Sequence, residues 1–307
     1  MDVETHNDHK PSLKDWLGAM RLRTLPLALA STLTGTAIAY SQYSFDGLIL
    51  LFTALTTILL QINSNLANDY GDFQHGTDNA ARIGPSRAIQ SGKILPKQMF
   101  QAIVICTVLA LISGTTLVWL APISIVAKLV LFVLGCAAIG AAIKYTAGKN
   151  PYGYRGLGDL SVVVFFGFLG VVGSYFVQVG SLNFWVMLPA ITIGGLSAGV
   201  LNINNMRDAD TDALTGKTTL AVRLGYRRSK IYQVTVVALA LDAMLIYAWF
   251  HFDSITNWLF VLAYPILLLN LMKVYAVQKA KDYDQYLKPL AIGTFVLSVL
   301  LILGAII

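Results

Sequence analysis

Two groups of Asp and Asn residues recur in this sequence at helical spacing, and each follows a long apolar stretch. In the first group, Asn65 and Asp69 are four residues apart, and so are Asn68 and Asp72. Side chains four residues apart lie on one face of a helix, one turn above the other. The first group is therefore predicted to form rows of oxygen ligands, and Asp78 follows six residues after Asp72.

The second group repeats this pattern further along the chain. Asn204, Asp208 and Asp212 form an unbroken row at i, i+4 and i+8. Both groups begin inside apolar segments and no Lys or Arg lies within either row, so the carboxylates need a cation. Oxygen ligands favour a hard cation, Mg²⁺ or alternatively Mn²⁺ or Ca²⁺. Mg²⁺ in proteins is usually bound by a few carboxylates together with oxygens of substrate phosphates, so two facing rows predict a diphosphate bridged by Mg²⁺. The alternative interpretation is that these residues only cap and solvate the ends of helices.

Basic residues suited to the remaining phosphate oxygens lie close to the acidic groups in the sequence. Arg82 and Arg87 follow the first group, Lys217 follows the second, and Lys149 lies in the loop between them. One arginine guanidinium can bind two phosphate oxygens at once, whereas a lysine ammonium acts as a point charge. For each of these residues taken singly, a role in membrane topology is an equally good interpretation.

A loop rich in tyrosine and glycine joins the fourth and fifth apolar stretches. It runs from Lys144 to Asp159 and contains Tyr145, Tyr152 and Tyr154. One interpretation is a flexible loop with an aromatic belt at the membrane interface. The other is a lid whose aromatic faces stabilise a cationic intermediate beside the acidic groups.

The elements that must position these residues are membrane-spanning helices. Of the 307 residues, 56% are hydrophobic and 12% are charged, and the mean hydropathy is +0.66. One soluble core cannot hide so much apolar surface, so lipid must cover the rest and the fold is predicted to be all-α. Nine stretches approach the ~20 residues that a helix needs to cross the hydrocarbon. These stretches are 18–41, 46–67, 99–120, 123–143, 158–179, 183–203, 230–251, 256–276 and 286–306.

The distribution of basic residues predicts the orientation of the nine spans. The N-terminal region and the loops after the even-numbered spans carry almost all the Lys and Arg, which is the pattern of cytoplasmic segments. We therefore expect a multi-pass protein of the bacterial inner membrane, with its N-terminus and active site on the cytoplasmic side. Residues 1–15 are expected to be a flexible N-terminus and residues 16–307 a single transmembrane domain. The net charge of +6 is explained by this topology and by contact with membrane lipid, not by binding to nucleic acid.

The acidic groups and the loop between them resemble those of the UbiA superfamily of intramembrane prenyltransferases, and the likeness covers essentially the whole chain. The strings that carry it are Asn65-Leu-Ala-Asn-Asp-Tyr-Gly-Asp72 and Asn204-Asn-Met-Arg-Asp208, with Asp212 four residues later. The family's Tyr-x-x-x-Lys element matches Tyr145 and Lys149. The resemblance implies nine transmembrane helices around a central cavity.

Within that family, the sequence most resembles the branch that prenylates 1,4-dihydroxy-2-naphthoate in menaquinone biosynthesis. The supporting strings are Arg82-Ile-Gly-Pro, Pro151-Tyr-Gly-Tyr-x-Gly-Leu-Gly-Asp159 and Gly216-Lys-x-Thr-Leu-Ala-Val-Arg-Leu-Gly225. Members that act on 4-hydroxybenzoate space the last two acids of the first motif four residues apart. The spacing of six between Asp72 and Asp78 therefore favours the naphthoate branch, although 4-hydroxybenzoate, homogentisate and a tetrapyrrole stay open as acceptors.

The resemblance implies that an electron-rich aromatic ring attacks an allylic polyprenyl diphosphate, with release of diphosphate and CO₂. Catalytic roles are then expected for Asp69, Asp72, Asp208, Asp212, Tyr145 and Lys149. The expected Mg²⁺ ligands are Asp69, Asp72, Asp78, Asp208 and Asp212. Substrate-binding roles are expected for Asn65, Asn68, Arg82, Arg87, Tyr152, Tyr154, Asn204 and Lys217. The polyprenyl tail needs an apolar route, which a lateral opening into lipid would provide.

Two interpretations from other classes compete with an enzyme. A membrane cation transporter would be expected to place ionisable residues near the bilayer midplane, whereas both acidic groups lie near one surface. A structural membrane scaffold would not need two matched rows of aspartates. Both interpretations therefore account less well for the acidic groups.

Overall fold

The computed structural model describes residues 10–42, 45–77, 84 and 86–307, and this part of the chain is helical and contains no strand. The predicted all-α fold is therefore confirmed. A short helix, α1 (Leu13–Met20), precedes the long ones. These are α2 (Leu25–Gln42), α3 (Gly47–Gln74), α4 (Pro96–Leu120), α5 (Ile125–Lys144), α6 (Gly158–Val179), α7 (Met187–Leu214), α8 (Leu220–His251), α9 (Tyr264–Ala276) and α10 (Asp284–Ile306).

Eight helical segments in the described residues are long and apolar enough to cross a membrane, and α2 is not among them. Helix α2 is more polar because it packs against α3, α6, α7 and α10, so protein covers it instead of lipid. Its buried Thr32 and Thr34 lie within hydrogen-bonding distance, 2.9 and 2.8 Å, of the hydroxyls of Thr57 and Ser298. The multi-pass architecture is confirmed, but the count of nine spans is not.

The chain turns sharply before α2. Ser12 and Asp15 form a capping box at the start of α1. The N-terminal segment 1–15, which is predicted to be flexible, is therefore helical from Leu13 onward. At the other end of α1, Arg21 adopts a left-handed conformation with φ 50°. The first predicted span, from residue 18, therefore begins too early, and the membrane helix starts at Leu25.

The two acidic groups lie at the ends of two long, continuous membrane helices. Helices α3 and α7 have 28 residues each. At 1.5 Å per residue each is about 42 Å long, which exceeds the ~30 Å of hydrocarbon. The rows of Asp and Asn therefore continue the membrane helices without a break, as the spacing predicts.

Helix α6 brings its backbone unusually close to its neighbours. Residues Val163–Val172 within it are π-helical, a geometry that is rare and concentrated at functional sites. A Cβ added to Gly167 would lie 2.5 Å from the carbonyl oxygen of Ala190 in α7. A Cβ added to Gly35 of α2 would lie 2.3 Å from the carbonyl oxygen of Val171. Small residues thus allow α2, α6 and α7 to form the tightly packed centre of the bundle.

Candidate active site

A cavity of about 1230 Å³ lies between the helices and reaches the acidic groups. Its polar end is lined by Asn65, Asn68, Asp69 and Asp72 of α3 and by Asn204 of α7. Residues from α4, α5 and α6 line much of the remainder, and most of their side chains are apolar. The cavity thus combines a polar end with a long apolar part.

The first acidic group is held by two arginines that come from other parts of the chain. Asp69, which is 1% exposed, forms an ion pair with Arg21 and lies 3.0 Å from Nη1 of Arg87. Nη2 of Arg87 lies 3.9 Å from the Asp72 carboxylate. Arginines that are distant in sequence therefore supply part of the positive charge around these carboxylates, and the Mg²⁺ that the sequence predicts here stays a prediction.

The second acidic group is organised by a buried arginine, Arg207, that lies off the helical row of acids. Arg207 is 1% exposed, and its Nε and Nη2 donate to the two carboxylate oxygens of Asp208 over 2.8 and 2.7 Å. Nη2 also donates to Oδ1 of Asn204 over 2.9 Å, and Nη1 pairs with Asp284 at the start of α10. Asn204 and Arg207 line the cavity, whereas Asp208 and Asp212 are not among its lining residues.

One chain of contacts joins the two acidic groups. The hydroxyl of Tyr154 donates to the Asp72 carboxylate over 2.6 Å. The ammonium of Lys217 lies 5.3 Å from the centre of the Tyr154 ring and 3.6 Å from the Asp212 carboxylate. The carbonyl of Tyr154 accepts hydrogen bonds from both the backbone N–H and the hydroxyl of Thr218, each over 2.9 Å. The tyrosine-rich loop is therefore docked between the ends of α3 and α7.

Two other tyrosines of this loop form part of the cavity wall. Tyr145 and Tyr152 both line the cavity and pack edge to face, with ring centres 5.3 Å apart. The Tyr152 hydroxyl donates to the carbonyl of Ala141 over 2.9 Å. Burial raises the pKa of Tyr145 well above its usual range, and the nearby carboxylates of Asp159 and Asp72 raise it further. Tyr145 is therefore a neutral, protonated phenol at physiological pH.

The side-chain amides predicted to bind substrate already have partners in the protein. Nδ2 of Asn65 donates to the carbonyl of Met20 and to the hydroxyl of Thr24, both over 3.0 Å. Oδ1 of Asn68 accepts from the Thr146 hydroxyl over 3.2 Å. These contacts fix the turn between α1 and α2 and the start of the tyrosine-rich loop against α3.

Of three further predicted site residues, the structure describes only Lys149. Lys149 is exposed and is not among the residues that line the cavity, so its catalytic role stays a prediction. Asp78 and Arg82 lie outside the described residues. The described neighbour Gly84 lies against Arg207, because a Cβ there would be 2.8 Å from Nη2 of that arginine. Gly84, which follows the first acidic group in the sequence, therefore lies beside the second.

The donor set fits Mg²⁺ only together with oxygens from a ligand. Across 10–42, 45–77, 84 and 86–307, no three His, Cys, Asp or Glu residues are grouped so that they could hold a metal by themselves. The structure instead offers two pairs of carboxylates, Asp69 with Asp72 on α3 and Asp208 with Asp212 on α7. Mg²⁺ is commonly bound by one or two carboxylates while substrate phosphates complete its shell. These pairs are chemically suited to that arrangement.

The residues that sequence reasoning missed are Arg21, Arg207 and Asp284. Arg21 looks like one of several basic residues that orient the membrane helices, and Arg207 sits within the acidic motif but off its helical row. Asp284 is 76 residues beyond Asp208, and no local pattern connects them. The one sequence feature that points to Arg207 is its position next to Asp208. Adjacent residues on a helix point in different directions, so this position does not by itself predict a contact.

Comparison with known proteins gives consistent results. The sequence matches the UbiA prenyltransferase family over residues 28–304. It is 43% identical over 297 residues to the 1,4-dihydroxy-2-naphthoate octaprenyltransferase of Haemophilus influenzae, with 96% of each chain covered. It is 45% identical over 252 residues to the protein of the same name from Escherichia coli, with 82% of each chain covered.

Solved structures show the same fold at low sequence identity. A UbiA homologue from Aeropyrum pernix superposes with a TM-score of 0.71 at 16% identity, covering 90% of this chain and 96% of that one. A UbiA homologue from Archaeoglobus fulgidus, solved with DMAPP and Mg²⁺, superposes with a TM-score of 0.56 at 13% identity, covering 93% and 99%. The helical arrangement is therefore shared with these proteins.

Proposed function

The chain belongs to the UbiA prenyltransferase family, and we propose that it transfers a polyprenyl group from polyprenyl diphosphate to 1,4-dihydroxy-2-naphthoate. Diphosphate and CO₂ leave, and the product is demethylmenaquinol, the hydroquinone form of demethylmenaquinone, an intermediate of menaquinone biosynthesis. The relatives at 43% and 45% identity, which are named for this acceptor and an octaprenyl donor, support both substrates. The observation that carries the chemistry is the contact chain Asp72–Tyr154–Lys217–Asp212, which joins the two acidic groups beside the end of a large cavity that Asp72 and Lys217 line.

The acidic residues hold the cofactor in this proposal. Asp69 and Asp72 would contribute from α3, and Asp208 and Asp212 from α7, with Asp78 as a further candidate. Bound Mg²⁺ would neutralise the diphosphate as the allylic C–O bond breaks. Support for this cofactor comes from the all-oxygen donor set and from the family structure solved with DMAPP and Mg²⁺.

Basic residues at the polar end bind the diphosphate. Arg21, Arg87 and Lys217 line the cavity and already lie beside carboxylates of the two acidic groups. Their guanidinium and ammonium groups can donate to phosphate oxygens while staying next to these carboxylates. They therefore orient the leaving group at the end of the cavity.

The tyrosines stabilise the positive charge that forms on the reacting carbon atom. When the C–O bond breaks, its electron pair leaves with diphosphate and the allylic carbon becomes cationic. The rings of Tyr145 and Tyr152 face this part of the cavity and stabilise the cation through their π electrons. The ring of the acceptor then forms a C–C bond to the allylic carbon, and loss of CO₂ returns an electron pair to the aromatic system.

The proposed location rests on the bacterial relatives and on the charge pattern. The protein lies in the bacterial inner membrane, and the polar end of the cavity, with the N-terminus, faces the cytoplasm. The excess of Lys and Arg at that end supports this orientation. Both the diphosphate and the acceptor carboxylate are charged, so they would reach the site from water.

The acceptor is tested with purified protein, Mg²⁺ and octaprenyl diphosphate. The protein is supplied in parallel with 1,4-dihydroxy-2-naphthoate, 4-hydroxybenzoate and homogentisate. We expect a prenylated product and an equivalent amount of CO₂ with the naphthoate. Preferential prenylation of another acid would overturn the proposed acceptor while leaving the prenyltransferase chemistry in place.

The acidic residues are tested by replacing Asp69 with Ala and Asp208 with Asn. We expect prenyl transfer in membranes with excess Mg²⁺ to fall about 100-fold or more, a loss typical of a missing electrostatic contact to the transition state. Asp253→Ala is the matched control, because Asp253 is exposed on a loop away from the cavity. Turnover close to that of the control in either site variant would contradict the metal assignment.

A further inference from the structure

Three glycines occur at intervals of three residues along α6, and packing explains only two of them. A Cβ on Gly167 would lie 2.5 Å from the carbonyl oxygen of Ala190, and a Cβ on Gly170 would lie 2.7 Å from Cβ of Ser31. A Cβ on Gly173 would meet no heavy atom within 4 Å. Its backbone, with φ −62° and ψ −45°, suits any residue. Since glycine weakens a helix relative to alanine, Gly173 needs another explanation.

The space in front of Gly173 is the cavity itself. Gly173 is one of the lining residues, and so is Gly114 of α4. A Cβ on Gly114 would lie 3.5 Å from Cγ2 of Thr56, which is an ordinary van der Waals contact. Both glycines therefore leave open a volume that a larger side chain would fill.

Both glycines lie in the part of the cavity that is far from the acidic groups. The lining residues of α3 extend from Asp72 to Thr53, a distance of about 28 Å at 1.5 Å per residue. This is close to the ~30 Å thickness of the hydrocarbon. Helices α4 and α6 both begin at the acidic end, and Gly114 and Gly173 lie in the second half of each.

The far part of the cavity is suited to an apolar chain. Leu117 and Val118 of α4 and Val177 of α6 line it next to the two glycines. We infer that this part holds the end of the polyprenyl tail, and that the absence of side chains at Gly114 and Gly173 sets the longest tail that the protein accepts. The inference rests on the proposed function, because it assumes that the diphosphate lies at the acidic end.

A second route out of the cavity gives the opposite expectation. Phe132 and Cys136 of α5 line the cavity, and both are exposed. A tail that left through this side would enter lipid without passing Gly114 or Gly173. Filling the glycine positions therefore distinguishes an internal channel from a lateral exit.

The experiment compares Gly173→Leu and Gly114→Leu with the wild type on donors of increasing length. The donors are geranyl, geranylgeranyl and octaprenyl diphosphate, and the measured quantity is kcat/KM for each. We expect the value for octaprenyl diphosphate to fall about tenfold to a hundredfold, the usual effect of overfilling a packed site. The value for geranyl diphosphate should stay within about twofold of wild type, since a short tail does not reach the added side chain.

Gly140→Leu is the matched control. Gly140 lies on α5, is exposed, and a Cβ there would also meet no heavy atom within 4 Å, but it does not line the cavity. This variant is expected to leave the ratio of long-donor to short-donor kcat/KM unchanged. Thermal unfolding of all three variants checks that each is folded to the same extent.

Two results would overturn the inference. Unchanged use of octaprenyl diphosphate by both site variants would show that the tail leaves through the side of α5. An equal loss with all three donors would show that the added side chain disturbs the site rather than the channel. Acceptor identity is tested separately, because the donor comparison can be run with whichever aromatic acid the wild type prenylates. If the wild type transfers no prenyl group to any acid, the proposed function itself fails.

Discussion

The hydroxyl of Tyr154 donates a hydrogen bond to the Asp72 carboxylate across 2.6 Å. Because the same ring lies under the ammonium of Lys217, this tyrosine joins the two acidic groups instead of facing the cavity. Tyr145 and Tyr152, by contrast, line the cavity. The tyrosine-rich loop therefore combines two roles, one that positions carboxylates and one that presents aromatic rings to the ligand.

Replacing Tyr154 with Phe should weaken the response to Mg²⁺. The variant keeps the ring beneath Lys217 but removes the hydrogen bond that orients Asp72. A hydrogen bond to a charged group contributes about 1.5–3 kcal/mol, so we expect the apparent Mg²⁺ affinity to fall by about 10- to 100-fold. The measurement is a Mg²⁺ titration of prenyl transfer. The control is Tyr152→Phe, whose hydroxyl bonds to a backbone carbonyl, and equal Mg²⁺ dependence in the two variants would argue against the proposed role.

Replacing Arg207 with Met should destabilise the protein strongly. The guanidinium is buried and pairs with Asp208 and Asp284, so its removal leaves carboxylates without their partner. Breaking a buried ion pair by removing one member costs about 3–5 kcal/mol, and we expect a clear drop in the thermal unfolding temperature in detergent. The control is Arg228→Met, because Arg228 is exposed. An unchanged unfolding temperature for the Arg207 variant would show that this network does not hold α7 and α10 together.

Tyr145 should act through its ring and not through its hydroxyl. Tyr145→Phe keeps the ring and is expected to retain most activity, whereas Tyr145→Leu should lose about 3- to 30-fold in rate, the range of a cation–π contact. Burial raises the pKa of this phenol, so it keeps its proton up to and beyond about pH 10, the usual tyrosine value. The ratio of wild-type to Tyr145→Phe activity should therefore not change with pH below that value. Equal activity of the Phe and Leu variants would exclude the shielding role.

Asp242 is an acidic residue that lies apart from both acidic groups. It is exposed on α8, nine residues before His251 and thus about 14 Å from that end of the helix. A carboxylate near the bilayer centre costs about 2.5–3.5 kcal/mol in insertion measurements. We therefore expect Asp242→Leu to raise the unfolding temperature in lipid nanodiscs, with Asp253→Leu in an exposed loop as the control. A lower unfolding temperature would mean that a polar partner covers Asp242 in the membrane.

Much of this protein could be predicted from local sequence patterns. Long apolar stretches predicted membrane helices, because a helix must satisfy its own backbone hydrogen bonds in lipid. The i, i+4 spacing of Asn65 with Asp69 and of Asn204 with Asp208 predicted helix faces, which the continuous helices α3 and α7 confirm. The strings around these residues predicted the family. Each of these inferences uses contacts between residues a few positions apart, which a sequence specifies directly.

Helix α2 shows where hydropathy fails as a guide. Its serines and threonines lower its hydropathy, although it lies at the centre of the bundle and is covered by other helices. High hydropathy is required of a helix that contacts lipid, whereas a helix surrounded by other helices can carry more polar side chains. The predicted start of this helix at residue 18 is also wrong, because the left-handed turn at Arg21 separates α1 from α2.

Local patterns in the sequence predict the membrane class, the helical rows of acids and the family. The packing of the helices decides which charges meet, since Arg21 pairs with Asp69 from 48 residues away and Arg207 pairs with Asp284 from 77 residues away. It also decides that Tyr154 bridges the acidic groups while Gly173 opens the far end of the cavity. The physical reason is that helix periodicity fixes neighbours within one or two turns, whereas packing of whole helices decides every contact between them.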